Sequence, residues 1–226
     1  MTEILFVAVV AAVMVMFVFA VLKMEGPRDR YGVVLLVLAF WLAVPGVLAY
    51  RGDLDRYAPV PPPGFILFAL LTLGTVMLAF SGFGARMARL PLAGLVGFQV
   101  FRVPLELVLH RLYAEGVIPV QMTYAGRNFD IVTGVLAALL AVWIWKGQAP
   151  RWLVLAWNLL GLVLLANVVT IAVLSTPVPF RQFMNEPANL LPSTFPYVWL
   201  PMFLVQAALF GHLLVFRAIR RGASSR

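Results

Sequence analysis

The stretch ILFVAVVAAVMVMFVFAVL, residues 4–22, runs for nineteen residues without a charge, an amide or a hydroxyl. At a helical rise of about 1.5 Å per residue it spans roughly 28 Å, close to the bilayer hydrocarbon core of roughly 30 Å. Backbone groups in lipid must be satisfied within the protein, which leaves helices and closed barrels. The short alternating strands that build a barrel are absent here. The segment therefore reads as a transmembrane helix. It follows MTE, which lacks a basic region, and no small-residue cleavage site comes after it, so a retained span is expected rather than a signal peptide.

The rest of the chain repeats this pattern. Of its 226 residues 63% are hydrophobic and the mean hydropathy is +0.97, which excludes an ordinary soluble domain. Six further apolar stretches occupy about 32–50, 64–81, 92–113, 128–146, 152–175 and 197–217. The expected fold is an all-α, polytopic membrane bundle of seven transmembrane helices, forming one domain over 1–226. With no cysteine, disulfides, thiol catalysis and cysteine-ligated metal or iron–sulfur sites are excluded.

The net charge of +8 would suggest nucleic acid in a soluble protein. Here the cations sit at the ends of spans, so the lipid bilayer is the expected partner and nucleic acid is not. Eleven Lys and Arg fall at one set of ends: Lys23, Arg28, Arg30, Arg86, Arg89, Lys146, Arg151, Arg217, Arg220, Arg221 and Arg226. Five fall at the other: Arg51, Arg56, Arg111, Arg127 and Arg181. The bias predicts an external N-terminus and a cytoplasmic C-terminus.

Against this apolar background FRVPLELVLHRLY, residues 101–113, stands out. Arg102, Glu106 and His110 follow one another at four-residue intervals, which stacks them along one helix face. Charges in a bilayer are costly and turn toward other helices. Depths counted from the middle of each span place Arg102 near the midplane, with Glu106 and His110 above it toward the outside. The same count brings Asp130 and Thr133 of the fifth span, and Asn167 and Thr170 of the sixth, to similar outer levels. Gln206 of the seventh lies near the midplane. The expectation is one polar pocket, open outward, lined by Arg102, Glu106, His110, Asp130, Asn167 and Gln206. Pro104 removes a backbone donor and frees the carbonyl of Val100, so a kink is expected beside the pocket.

Each of these residues also has a purely structural reading. Arg102 and Glu106 suffice as an internal ion pair. Asn128 and Asp130 suit the start of a helix, where Asn caps and Asp meets the dipole. Asn158, Asn167 and Gln206 suit interhelical hydrogen bonds, and His212 suits packing. The loop 176–196 holds five prolines in twenty-one residues, so it is no continuous helix; a plain connector is favoured over a lid.

No cofactor is expected. Lys23 and Lys146 lie at span ends, which disfavours a retinal Schiff base. His110 and His212 differ by roughly 17 Å in depth, which disfavours a bis-histidine haem. HExxH and mid-span serine motifs of intramembrane proteases are absent. Sugar-transporting SWEET proteins share the count and orientation, but spans one and five lack their prolines. Glu106 and His110, with Asp130, form a weak candidate metal set.

The stretches FRVPLELVLHRLYAEGVIPVQMTYAGRNFDIVTG (101–134), NLLGLVLLANVVTIAVLSTPVPFRQF (158–183) and PYVWLPMFLVQAALFGHLLVFR (196–217) resemble a family of small bacterial integral membrane proteins of unknown function. The resemblance implies a multi-pass protein of the bacterial inner membrane and no activity. Three readings stay open: binding or transport of a small solute or ion, with proton coupling; a membrane-embedded enzyme or metal site; and a structural partner subunit of a membrane complex.

Overall fold

A computed structural model of the chain describes residues 1–24, 31–147 and 149–224. Arg28, Arg30 and Arg226, counted above for orientation, lie outside the described residues. The elements are α1 (Thr2–Lys23), α2 (Tyr31–Tyr50), α3 (Pro63–Phe80), a short α4 (Gly82–Met87), α5 (Leu92–Gly97), α6 (Arg102–Ala114), α7 (Asp130–Trp145), α8 (Arg151–Ser175) and α9 (Val205–Ser224). Among the described residues there is no strand.

Six helical stretches are long and apolar enough to cross a membrane: 2–23, 32–50, 63–80, 92–114, 151–175 and 200–221. The fifth expected span differs. α7 has only 16 residues, because the chain before Asp130 is spent in a turn rather than in another helical turn. The expected count of seven membrane-length helices is therefore corrected to six plus this shorter apolar helix.

The exterior is apolar, as Leu36, Phe40 and Leu139 illustrate, each about two-thirds exposed or more. The inside is where the polar residues go. Only 17% of the best apolar window is buried in α2 and in α3, against 50% for 92–114 and 56% for 200–221. The two most enclosed stretches are thus those that carry Gln99, Arg102, Glu106, Gln206 and His212. Elements α1, α3, α7 and α8 pack around them.

The stretch 92–114 is not one regular helix. A 3-10 turn, Phe98–Phe101, joins α5 to α6. Pro104 is the third residue of α6, within the first turn, where a missing backbone N–H costs no intrahelical bond. The break expected around Pro104 appears as this tightened turn directly before Arg102. A similar irregularity opens α9: residues Leu200–Leu204 form a π-turn around Pro201. There the indoles of Trp41 and Trp199 tie α2 to α9, donating to the carbonyls of Met202 (2.8 Å) and Leu42 (2.9 Å).

Two ends of the bundle can be told apart by their contacts. At the first, Thr2 donates to Glu115 at 2.6 Å, Tyr57 pairs with Ser193 at 2.6 Å, and Asn189 donates to the carbonyl of Ala172 at 3.0 Å. At the second, Arg217 bonds the carbonyls of Ala79 and Ser81, and Phe83 stacks on Phe210. The loop after α8 is bonded into the first end. Gln182 and Phe183 donate backbone N–H groups to Leu174, and Asn189 does so to Ser175. Burial, with Asp55 nearby, pushes the Tyr57 phenol above its usual range despite the bond to Ser193.

A buried ionisable cluster on the wall of a cavity

Arg102, the first residue of α6, is 1% exposed, and its guanidinium Nη1 pairs with the carboxylate of Asp130, the first residue of α7. The helices approach closely because Gly134 faces them: a Cβ on Gly134 would lie 3.2 Å from Cβ of Arg102 and 2.8 Å from a methyl of Val103. Four residues on, Glu106 is equally buried. Its carboxylate accepts from Nδ2 of Asn128 on both oxygens, at 2.8 and 2.9 Å. The same amide reaches the carbonyl of Met122 at 3.1 Å. Its oxygen accepts the backbone N–H of Asp130 at 3.1 Å. α7 starts at Asp130, so Asn128 acts from one position before the cap, in an Asx turn. One side chain thus holds Glu106 and shapes the approach to Asp130.

Arg102, Glu106 and Asp130 all line a cavity of about 190 Å³ between α3, α6, α8 and the start of α9. The remainder of its wall is almost wholly apolar, with Thr176 and Asn189 at its loop end. The cluster holds one guanidinium against two carboxylates. In a low-dielectric interior such an excess of one sign is unstable unless a proton or a ligand offsets it. Nε and Nη2 of Arg102 are buried and have no hydrogen-bond partner among the described residues.

The other residues expected in the pocket are elsewhere. His110 is half-buried and stacks on Tyr124, ring centres 4.6 Å apart, with Tyr113 at 6.0 Å; it does not line the cavity. Asn167 donates to the carbonyl of Arg127 at 2.9 Å, fastening α8 to the segment before α7. Gln206 accepts from Thr75 at 3.0 Å and donates to Thr72 at 3.1 Å, joining α9 to α3 beside a second, apolar cavity of about 240 Å³. Among the described residues no group of three or more His, Asp or Glu is placed to hold a metal ion, so Glu106, His110 and Asp130 do not form a ligand set. His212 is buried, bonded through Nδ1 to Asn158 at 2.8 Å, and lies over Gly161 beside Trp157.

Sequence reasoning missed the role of Asn128. Its signal was present: a buried amide at a helix start has two donors left after its oxygen is used, and those must find acceptors.

Comparison with known proteins adds one relationship. A family model described as a domain of unknown function, DUF8737, matches residues 63–220 and so includes the whole cluster. No curated protein and no solved structure matches the chain.

Proposed function

The chain belongs to this DUF8737 family, and from that premise and the buried cluster we propose a multi-pass protein that binds or transports a small solute or ion, coupled to a proton on Glu106. The observation that carries this reading is the placement of Arg102, Glu106 and Asp130 on the wall of one cavity. Arg102 and Asp130 neutralise each other. Glu106, held by a neutral amide, is the charge left to exchange a proton. In this reading Arg102 positions and tunes, and Glu106 loads and unloads.

The membrane is the bacterial inner membrane, with the N-terminus outside and the C-terminus inside, as the eleven-to-five distribution of Lys and Arg supports. α7, the fifth crossing in chain order, brings the number of crossings to seven. It leaves the first end at Asp130, and α8 returns from the second end at Arg151. Under this orientation the cavity lies in the outer half, and the bond from Asn167 to the carbonyl of Arg127 fastens α8 outside it.

The test uses dicyclohexylcarbodiimide, an apolar electrophile whose central carbon takes the oxygen of a protonated carboxyl group while its nitrogen takes the proton. Purified protein in lipid nanodiscs should take one adduct, mapped by mass spectrometry to Glu106. Glu106→Gln should take none, and Asp130, engaged by the guanidinium of Arg102, should stay unmodified. An unmodified Glu106 in the folded protein, with labelling only after unfolding, overturns the proposal.

A further inference from the structure

The cavity is shaped to admit its ligand sideways. α3 and α8 form its two flanks and scarcely touch each other. Phe65 and Phe68 line one flank, and Val168, Val169, Ala172 and Val173 the other, all of them half-buried. The start of α9 closes the back. At the first end the loop after α8 covers the cleft: Phe180 meets the ring of Phe65 at 6.5 Å, and Asn189, Leu191 and Pro192 line it from above. With that end covered, the space between two membrane-length helices is the way in, and it faces lipid tails.

The wall chemistry narrows the ligand. An apolar lining with one polar corner suits a molecule that is mostly hydrocarbon with a polar group at one end. At that corner Arg102 has two nitrogens without partners, Nε and Nη2, and their N–H groups call for a polar group that accepts hydrogen bonds. Asp130 already pairs with the guanidinium, so an anionic head would bring a negative charge that nothing in the cavity offsets. A cationic head would meet Glu106 but leave the guanidinium N–H groups unmet. We propose that the cleft between α3 and α8 binds a neutral, single-chain amphiphile drawn from the bilayer, its carbonyl or hydroxyl oxygens received by Arg102 beside Glu106. This rests on the solute-binding reading above and names the class of solute.

The probes are a diazirine-bearing monoacylglycerol, which is neutral, and the matching diazirine fatty acid, which is anionic. Each is photolysed with the full-length protein in phosphatidylcholine nanodiscs, and labelled residues are mapped. The neutral probe should label the flanks around Phe68 and Val169, and excess unlabelled monooleoylglycerol should compete it away. Val169→Trp should lower that labelling about tenfold by filling the cleft, while Leu139→Trp on the lipid face should not. The competition on the unaltered protein stands by itself should Val169→Trp fail to fold. Labelling spread over lipid-facing residues in proportion to exposure, without competition, overturns the site. Preferential cleft labelling by the fatty acid overturns the neutral head. Neither result depends on carbodiimide reaching Glu106, so failure of the amphiphile and failure of the proton-carrying role are separable.

Discussion

Nδ2 of Asn128 donates to both carboxylate oxygens of Glu106, at 2.8 and 2.9 Å, in a region where neither residue is more than 1% exposed. They lie twenty-two positions apart in the chain, with a turn and a short 3-10 segment between them. Asn128→Leu keeps the branching at Cγ and removes the donor. The expected loss is about 1–3 kcal/mol, the cost of stranding a buried acceptor. Chemical unfolding in detergent measures it. Glu106→Gln, which keeps a polar partner for the amide, should cost less; a larger loss for Glu106→Gln would show that the Glu106 carboxylate is needed by a partner other than Asn128.

The buried ion pair predicts a specific coupling. Arg102→Met alone strands Asp130 and should cost about 3–5 kcal/mol. Adding Asp130→Asn should recover most of that loss. A double-mutant cycle over Arg102 and Asp130 should therefore give a larger interaction energy than one over Arg102 and Glu106. Equal energies in the two cycles would mean that the guanidinium is shared evenly by both carboxylates.

The sequence made the helices legible because lipid imposes length and apolarity on each of them, and six stretches follow that rule. α7 fell short because Asn128 and Phe129, read as part of a span, belong to the turn that delivers Asn128 to Glu106. The polar stripe was legible in part. Successive residues turn by about 100° around a helix, so a four-residue step returns about 40° off and two steps about 80° off. Glu106 stays on the face of Arg102, while His110 rotates away to Tyr124. The partner of Arg102 could not be read from its own helix. Spacing favoured Glu106, yet the closer approach of α7 at Gly134 brought in Asp130. Matching depth also said nothing of azimuth, which is why Asn167 and Gln206 serve other contacts.

At the first end, an acid-sensitive tie joins α1 to α6. Glu115 accepts from Thr2, and this bond, followed by the pairing with Arg111, holds its carboxyl below the ordinary value of 4.5. A depressed carboxylate stabilises the fold fully above its unfolded pKa and loses that contribution as pH falls through the folded value. Amide exchange in the first turn of α1 should accelerate below about pH 4.5, and Glu115→Gln should remove that acid limb. Exchange that accelerates equally in the variant would assign the limb to another group.

Gly161 supplies the tightest crossing of a side chain over a helical glycine among the described residues. A Cβ there would lie 2.3 Å from Cε1 of His212 and 2.6 Å from its Nε2. Gly161→Ala should cost about 1–3 kcal/mol through overpacking. His212→Ala leaves a cavity of its own, so the pair of changes together should cost less than their sum. Additive costs would place the imidazole's freedom to move beyond what this packing allows.

The crossing at Gly161 also restricts how sequences of this family can drift. A larger residue at 161 is admissible only where 212 has already become small, and a bulky ring at 212 only where 161 is still glycine. Variation at the two positions is thereby ordered in time: the ring must shrink first. At Gly134 the constraint comes chiefly from Val103, whose methyl and backbone nitrogen would lie 2.8 and 3.0 Å from a Cβ there. Substitutions at these pairs should appear together in descent, leaving a record of joint inheritance between helices far apart along the chain.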